Sequence, residues 1–409
     1  MEKRYDGTNI HELFPYVQHR LGTICHPILR TFQFYSERFF SPLIVEGLDR
    51  VVGFKLKNPD SSFLYISRHR SHMDYIETQL ALGKSSVPAM IQAGDNLFIG
   101  PFDPFWRELG AFMAIREGKG FYSKNWIKNM AFSIMKDMHL YKKDYEVYID
   151  KKLSQILYES YLDSILSSDG PVKDLLLYPE YIKQPDGSTK YGRSYSGRLL
   201  DFSIYLFIVL NKIASKKHRK FFFVPVNPSY ERVIEDSFMM KIPSLKKRFS
   251  KELVYLQEYA YILTRPLFPF FTRGSFVLKF GEPFELEISG KIKSDAKLQR
   301  NKLEYEVGRL ETPFSPQVVF YSMQGERKVL LKSLEDRVMS NISKLEESKV
   351  DTSRLKAGGI AKSFDLILEE TLRLFDAPGR RYTRIKDRSL EILDSTITSQ
   401  YANHIAHLF

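Results

Sequence analysis

The sequence predicts an α/β fold with a mixed sheet flanked by helices. Between about residues 46 and 286, short apolar runs alternate with longer segments of helical periodicity, which is typical of layered α/β proteins. The apolar runs are SSFLYIS, GAFMAI, DLLLY, FFFVPV and SFVLKF, and each has the length of a buried strand. With 409 residues, 43% of them hydrophobic, the chain can bury one large core or two modest ones.

The sequence divides into three predicted regions. Residues 1–45 place apolar side chains at helical spacing among Arg and His, which predicts N-terminal amphipathic helices. Residues 46–290 contain the predicted strands and form the α/β domain. Beyond about residue 290 we expect no strands, because VLLKSLEDRVMSNISKL and SFDLILEETLRLF have helical periodicity. Residues 291–409 are therefore predicted to be a C-terminal helical subdomain.

The composition limits the classes of protein to consider. The formal net charge of +12 favours acidic partners such as phosphorylated metabolites, an acidic carrier protein, nucleic acid or an anionic membrane. The single cysteine, Cys25, excludes an internal disulfide and a Cys-rich zinc site. The longest apolar run, FSIYLFIVLN at 202–211, is shorter than a membrane span and predicts a buried helix. The polar start, MEKRYDGTNIHELF, is unlike a secretory signal, so we expect an intracellular protein.

The segment SRHRSHMDYIE at 67–77 places several chemically active side chains where a predicted strand meets a predicted helix. His69 falls on the loop at the carboxyl end of the strand, where open α/β sheets bind their ligands. One interpretation is structural, with Ser71 and Asp74 as a capping pair of the helix. A second takes His69, His72 and Asp74 as metal ligands, although further ligands at suitable spacing are not evident. A third pairs His69 with Asp74, so that the carboxylate orients an imidazole that accepts a proton.

Four ordered motifs favour the third interpretation. They are HRSHMDY (69–75), AGDNLFIGPFDPFWRELGAFMAIR (93–116), GRSYSGRLL (192–200) and VPVNPSYERV (224–233). Together they resemble the motif blocks of the glycerol-3-phosphate and dihydroxyacetone-phosphate acyltransferases, within the phospholipid and glycerol acyltransferase superfamily. The resemblance runs from about residue 60 to the C-terminus, and it implies that residues 46–290 form a glycerol-3-phosphate acyltransferase-like domain.

The resemblance implies a role for individual residues. His69 would be the general base, with Asp74 as its partner, and Arg116 and Arg193 would bind the phosphate of the acceptor. Forked guanidinium donors suit a phosphate of nearly two negative charges. We expect GAFMAI and the LLLYPE segment to be neighbouring strands, which would bring Arg116 and the loop of Arg193 beside His69.

One departure from the family pattern concerns the third motif. In the family a glutamate directly precedes a Gly-Gly-Arg or Gly-Thr-Arg sequence, whereas in this sequence Glu180 is separated from Gly192 by an insertion at 181–191. The Pro-Asp-Gly turn signal within it predicts a hairpin. Glu180 and Gly192 are still the matching residues, and Ser194 is placed to hydrogen-bond the phosphate. Pro225, in the fourth motif, is expected to shape a strand end beside the acyl site.

The predicted reaction is the transfer of a fatty acyl group from acyl-CoA or acyl-carrier protein to a small phosphorylated acceptor. Neither a metal nor a bound cofactor is required. The alternatives are acylation of lysophosphatidate and an acyltransferase-like protein without activity. A serine hydrolase is disfavoured because GRSYSG differs from the G-x-S-x-G elbow in its spacing.

Two segments bear on the predicted partners. The basic run KKHRK at 216–220 and the Phe-rich segment RPLFPFFTR at 265–273 fit a protein at a lipid surface. We therefore expect a peripheral or monotopic protein on the cytoplasmic face of a membrane. No nucleic-acid partner is expected, because only the charge favours one and no recognition module is present.

Overall fold

The computed structural model describes most of the chain from residue 36 onward. The described residues are 36–85, 87–94, 110–114, 158–159, 162–163, 165–166, 173–183, 189–191, 200–216, 219–239, 241–245, 251–264, 273–377 and 380–409. Residues 1–35 of the predicted N-terminal helical region lie outside them, and residues 40–45 of that region form a strand rather than the predicted helix.

The described strands that precede residue 290 fall into a central sheet and a small separate sheet. They are β1 (Phe40–Glu46), β2 (Ser62–Ser67), β3 (Ala89–Gly94), β4 (Ala111–Ala114), β5 (Asp174–Leu177), β6 (Glu180–Lys183), β7 (Thr189–Tyr191), β8 (Asp201–Phe202), β9 (Phe221–Tyr230), β10 (Gly274–Phe280) and β11 (Phe284–Glu285). The five predicted runs correspond to β2, β4, β5, β9 and β10. Strands β6 and β7 pair antiparallel across the 181–191 insertion, as the turn signal predicts.

The central sheet has eight strands in the order β1-β10-β9-β2-β5-β3-β4, with β11 paired to β9. Strands β9, β2, β5, β3 and β4 run parallel, and β10 joins β9 antiparallel, so the predicted mixed α/β fold is confirmed. The expectation that β4 and β5 are neighbours is wrong, because β3 lies between them. Instead, β5 pairs directly with β2, which brings the chain after β5 next to His69.

Helices cover both faces of this sheet. They are α1 (Leu48–Lys57), α2 (Met73–Lys84), α3 (Ile204–Ser215), α4 (Asp236–Met239), α5 (Ile242–Leu245), α6 (Lys251–Thr264) and α7 (Ile292–Arg309). Alternate side chains of β2 serve different cores: Phe63 packs with residues of α1 and α2, whereas Leu64 packs with residues of α3 and α7. Most of the run at 202–211 thus lies in the buried helix α3, as predicted, whereas Phe202 belongs to β8. In the described part of the chain, no helix combines the length and apolar character that a membrane span requires.

The residues after 310 form a third apolar core of helices and short strands. The elements are α8 (Ser315–Ser322), β12 (Lys328–Leu330), α9 (Leu331–Glu347), β13 (Lys356–Ala357), β14 (Ile360–Ala361), α10 (Phe364–Phe375), β15 (Asp376–Ala377), β16 (Arg380–Arg381), β17 (Thr383–Lys386), β18 (Ser389–Ile392) and α11 (Ser395–Ile405). The expectation that strands stop at residue 290 is therefore wrong. Strands β17 and β18 form a hairpin through Asp387 and Arg388, both at positive φ, and so short a turn leaves little trace in hydrophobic periodicity.

This C-terminal part contacts the carboxyl end of β9. Gln317 donates through Nε2 to the carbonyl oxygen of Tyr230 at 3.0 Å, and the Thr312 amide donates to Ser229 Oγ at 3.0 Å. Arg232, just after β9, donates to the carbonyl oxygen of Leu374 at the end of α10. The end of β9 is therefore fixed by residues that come more than 80 positions later in the chain.

Candidate active site

His69 lies where the sequence predicts it, on the loop between β2 and α2. Its Nδ1 is 3.2 Å from Asp74 Oδ2. The Asp74 side chain is fully buried, whereas 18% of the His69 side chain is exposed. Because Nδ1 faces the carboxylate, Nε2 lies on the opposite side of the ring. This geometry combines an oriented imidazole with a buried carboxylate, which is what a general base requires.

The Asp74 carboxylate accepts several further hydrogen bonds. The backbone amides of Arg70 and Ser71 donate to Oδ2 at 2.5 and 2.9 Å, and the Tyr230 hydroxyl donates to Oδ1 at 2.5 Å. Burial, followed by the nearby Asp74 charge, raises the pKa of Tyr230 well above its usual value, so its hydroxyl stays protonated. These donors fix the carboxylate that faces His69.

Replacing Tyr230 by Phe tests this support. The change removes the donor to Asp74 Oδ1 but keeps a ring that packs on Phe40 and Phe276. We expect the free energy of unfolding to fall by about 1.5–3 kcal/mol, as is typical for a hydrogen bond to a charged group. Urea denaturation measures the loss. Tyr65→Phe is the matched control, because the buried Tyr65 hydroxyl has no hydrogen-bond partner among the described residues. Equal stability changes in the two variants would contradict the assigned role.

The start of α2 is held by a second carboxylate, Glu235. Ser71 Oγ donates to Glu235 at 2.9 Å, and the His72 amide donates to Glu235 Oε1 at 2.7 Å. Ser71 Oγ also accepts from the Met73 amide at 3.0 Å, and Asp74 accepts from the Ser71 amide. The capping interpretation and the paired interpretation are thus compatible, because Asp74 contacts both the helix start and His69.

The geometry of His72 bears on the metal interpretation. Its Nδ1 lies 2.6 Å from the Tyr75 hydroxyl, and its Nε2 lies 3.4 Å from Glu258 Oε2. In the described part of the chain, no group of three or more His, Cys, Asp or Glu side chains has the arrangement of a metal site.

Arg70 links the loop to the C-terminal part of the chain. Its Nη1 and Nη2 donate to the two oxygens of Glu311 at 2.8 and 2.5 Å, and both side chains are almost fully buried. Asn227 Nδ2 donates to the same carboxylate at 3.1 Å. Burial alone would raise the pKa of Glu311, but the charge and hydrogen bonds of Arg70 lower it to about 2. The pair is therefore ionised throughout the physiological range.

Glu180, the glutamate matched to the family's third motif, lies beside His69. Its Oε2 accepts from the His69 backbone amide at 2.7 Å, and its side chain is buried. Burial raises the pKa of Glu180 to about 7, while Arg68 and the His69 amide act in the opposite direction. Glu180 thus supports the backbone of His69 rather than its ring.

Arg68 is buried immediately before His69. None of its three guanidinium nitrogens has a hydrogen-bond partner among the described residues. Burial and the charge of Arg70 lower the pKa of Arg68 to about 10, against the effect of nearby carboxylates that include Glu180. Arg68 is therefore cationic at neutral pH, and its charge favours the ionised form of Glu180.

Pro225 lies within β9, directly opposite Ile66 of β2. The strand does not end there, since it continues to Tyr230, and Pro225 packs beside Gly281. The other predicted substrate-binding residues, Arg116, Gly192, Arg193 and Ser194, lie outside the described residues. So does 265–272, which is nearly all of the Phe-rich segment.

Four residues that lie in this loop or contact it were not predicted as site residues from the sequence. They are Arg70, Tyr230, Glu235 and Glu311. Two of these residues lie within motifs of the sequence that could have revealed them. Arg70 belongs to HRSHMDY, and Tyr230 belongs to VPVNPSYERV. Glu235 and Glu311 have no motif around them, so only the fold brings them to the loop.

The fold and the site together define a class. An oriented, partly exposed imidazole at the carboxyl edge of an α/β sheet is the arrangement expected of a general-base transferase or hydrolase. The chain is 27% identical over 308 residues to a glycerol-3-phosphate acyltransferase of Shewanella frigidimarina, a match that covers 75% of this chain and 30% of the relative. It is 28% identical over 251 residues to the protein of that name from Shewanella loihica, covering 61% and 25%.

These relatives support the glycerol-3-phosphate acyltransferase family for this chain, as the four motifs predicted. The match spans less than a third of the length of either relative. No protein-family model matches the chain.

Proposed function

We propose that the protein is an O-acyltransferase that moves a fatty acyl group from a thioester to a hydroxyl of glycerol 3-phosphate or dihydroxyacetone phosphate. The observation that carries the proposal is the contact of 3.2 Å between His69 and the buried Asp74. The motif resemblance and the names of the relatives supply the type of reaction and the acceptor. The donor is either acyl-CoA or acyl-carrier protein.

In this mechanism His69 Nε2 accepts the proton of the acceptor hydroxyl. The hydroxyl oxygen forms a bond to the thioester carbonyl carbon and gives a tetrahedral intermediate. The carbon–sulfur bond then breaks, and the departing thiolate takes the proton from the imidazolium. Asp74 stabilises the imidazolium between the two transfers, and three further hydrogen-bond donors keep its carboxylate in place.

The acceptor phosphate is proposed to bind Arg116 and Arg193, together with Gly192 and Ser194, which flank Arg193 in the sequence. Phosphate binding would position the hydroxyl for His69, and the net charge of +12 favours anionic substrates. We propose neither a metal nor a bound cofactor. The histidine, oriented by the carboxylate, takes the proton from the acceptor hydroxyl and gives it to the thiolate that leaves the thioester, so no further group is needed for proton transfer. The product is a lysophosphatidate-type lipid, so we place the protein at the cytoplasmic face of a membrane, as a peripheral or monotopic protein.

A direct assay tests the proposed reaction. Purified protein is incubated with glycerol 3-phosphate, dihydroxyacetone phosphate or lysophosphatidate, and each acceptor is combined with palmitoyl-CoA or palmitoyl-carrier protein. We expect acylation of one or both three-carbon acceptors and little acylation of lysophosphatidate. Product is measured by mass spectrometry, with boiled protein as the blank. Acylation of lysophosphatidate alone would replace the proposed acceptor, and failure of all six combinations would contradict the activity.

A further inference from the structure

Helix α7 has an outward face with an unusual composition. Lys291, which precedes the helix, and Leu298, Lys302, Tyr305 and Arg309 follow one another at intervals of 7, 4, 3 and 4 positions. At 3.6 residues per turn these positions fall on one line along the helix. We call these five residues the outer stripe. The opposite side of α7 packs on the sheet through Ala296, Leu303 and Val307.

The two apolar members of the outer stripe are strongly exposed. Leu298 is 67% exposed and Tyr305 is 66% exposed, although the helix is otherwise well packed. Single exposed apolar side chains are common on protein surfaces. Two of them on one line, with cations between and beyond them, form a pattern that suits a polar–apolar interface.

The charges of α7 are distributed unevenly. The acidic side chains are directed to neighbours: Asp295 accepts from Ser289, Glu304 accepts from the Phe202 amide, and Glu306 pairs with Arg309. By contrast, the exposed Lys291 and Lys297 form no ion pair with any residue that the structure describes. Of the cations on and beside the outer stripe, Arg309 is thus paired with Glu306, whereas Lys291 and Lys297 contribute positive charge that no described carboxylate neutralises.

A neighbouring helix places one further cation near the beginning of α7. Asn211 of α3 contacts Gln299 of α7 at 2.6 Å, and the Phe202 amide contacts Glu304, so the two helices run antiparallel. The exposed Lys216, just after α3, consequently lies toward the beginning of α7. It belongs to the basic run KKHRK at 216–220, whose composition suits a lipid surface.

We propose that the outer stripe of α7 is the surface by which the protein lies on a bilayer of anionic phospholipids. Leu298 and Tyr305 insert among the headgroups, and the cations beside them contact lipid phosphates. The helix is about 27 Å long, so the pattern extends along a straight line and matches a flat surface better than the compact surface of a small acidic protein.

The position of α7 relates the membrane contact to catalysis. This step of the argument rests on the proposed function. The helix ends at Arg309, and a Cβ at the adjacent Gly308 would lie 3.4 Å from Arg68 Nη2. Arg68 directly precedes His69. A bilayer along α7 would thus lie close to the end of the sheet where the acyl chain is transferred, and the lipid product would have a short path to the membrane.

Vesicle sedimentation tests the surface. The protein is mixed with vesicles of phosphatidylcholine alone or of phosphatidylcholine with phosphatidylglycerol. We expect Leu298→Ser/Tyr305→Ser, and separately Lys291→Glu/Lys297→Glu, to lower the partition coefficient on anionic vesicles at least about tenfold. The matched control is Leu56→Ser/Lys57→Glu on α1, where Leu56 is 77% exposed. It should bind as the wild type does.

Each outcome either supports or overturns the assignment of the outer stripe as the membrane-binding surface. Wild-type binding by both the Leu298→Ser/Tyr305→Ser variant and the Lys291→Glu/Lys297→Glu variant would overturn the inference, as would an equal loss in the α1 control. Stripe variants that bind vesicles normally but lose turnover only with acyl-carrier protein would assign the surface to that acidic donor instead. If the wild-type protein shows no acyltransferase activity but its vesicle binding depends on the stripe, the proposed function fails and the surface is upheld.

Discussion

Replacing His69 by Ala should lower kcat by roughly 10²–10⁴-fold while the protein stays folded, which is the usual loss for an acid–base group. The imidazole is the partly exposed member of a pair whose other member is buried, so its removal leaves little uncompensated charge. Steady-state kinetics on the acceptor identified by the direct assay give kcat, and circular dichroism confirms the fold.

Two further variants distinguish a catalytic histidine from a structural one. His407→Ala removes an imidazole that faces the carbonyl of Gly308, so kcat should stay near the wild-type value. Asp74→Asn should lower kcat strongly, because an amide cannot stabilise the imidazolium as a carboxylate does. A folded His69→Ala protein with normal turnover would contradict the mechanism. An Asp74→Asn protein that loses only thermal stability would show that capping is the main role of Asp74.

Replacing Glu311 by Ala should lower the free energy of unfolding by roughly 3–5 kcal/mol, since it leaves the buried Arg70 charge without its partner. The double variant Arg70→Met/Glu311→Leu should recover much of this loss, because it removes both charges together. Urea denaturation measures each variant. Glu282→Ala is the control: its partner Arg50 is 60% exposed, and exposed pairs contribute at most about 1 kcal/mol.

The same ion pair predicts how stability depends on pH. In the folded protein Arg70 holds the pKa of Glu311 at about 2, below its usual 4.5. The stabilisation by the pair is therefore complete above about pH 5 and is lost as the pH falls from 4.5 toward 2. The difference in unfolding free energy between the wild type and the double variant isolates this contribution. A Glu311→Ala protein as stable as Glu282→Ala would contradict the role of the pair.

The sequence could predict the parts of the site that depend on local patterns. An apolar run of strand length followed by helical periodicity placed His69 between β2 and α2, where the structure has it. The same pattern, with four residues between His69 and Asp74, was sufficient to predict their contact. The turn signal of the insertion likewise predicted that β6 and β7 would pair.

Features that depend on distant parts of the chain could not be predicted in this way. The order of the strands decides that Glu180 lies beside His69, and no local pattern places β3 between β4 and β5. Glu235 and Glu311 contact the loop from 163 and 241 positions away. A single Glu in a charged segment is not distinguished by its sequence context from other Glu residues. Its contact with a distant loop therefore cannot be predicted from the sequence.

The separation of 241 residues between Arg70 and Glu311 also has a consequence for the order of folding. The strands that pair with β2 are complete once residue 230 has been translated, but the loop receives its buried counter-charge only after residue 311 has been made. Closing so long a loop is entropically costly and slow. Until then Arg70 would have to stay in water, so the loop of His69 would be among the last parts of the sheet edge to become ordered.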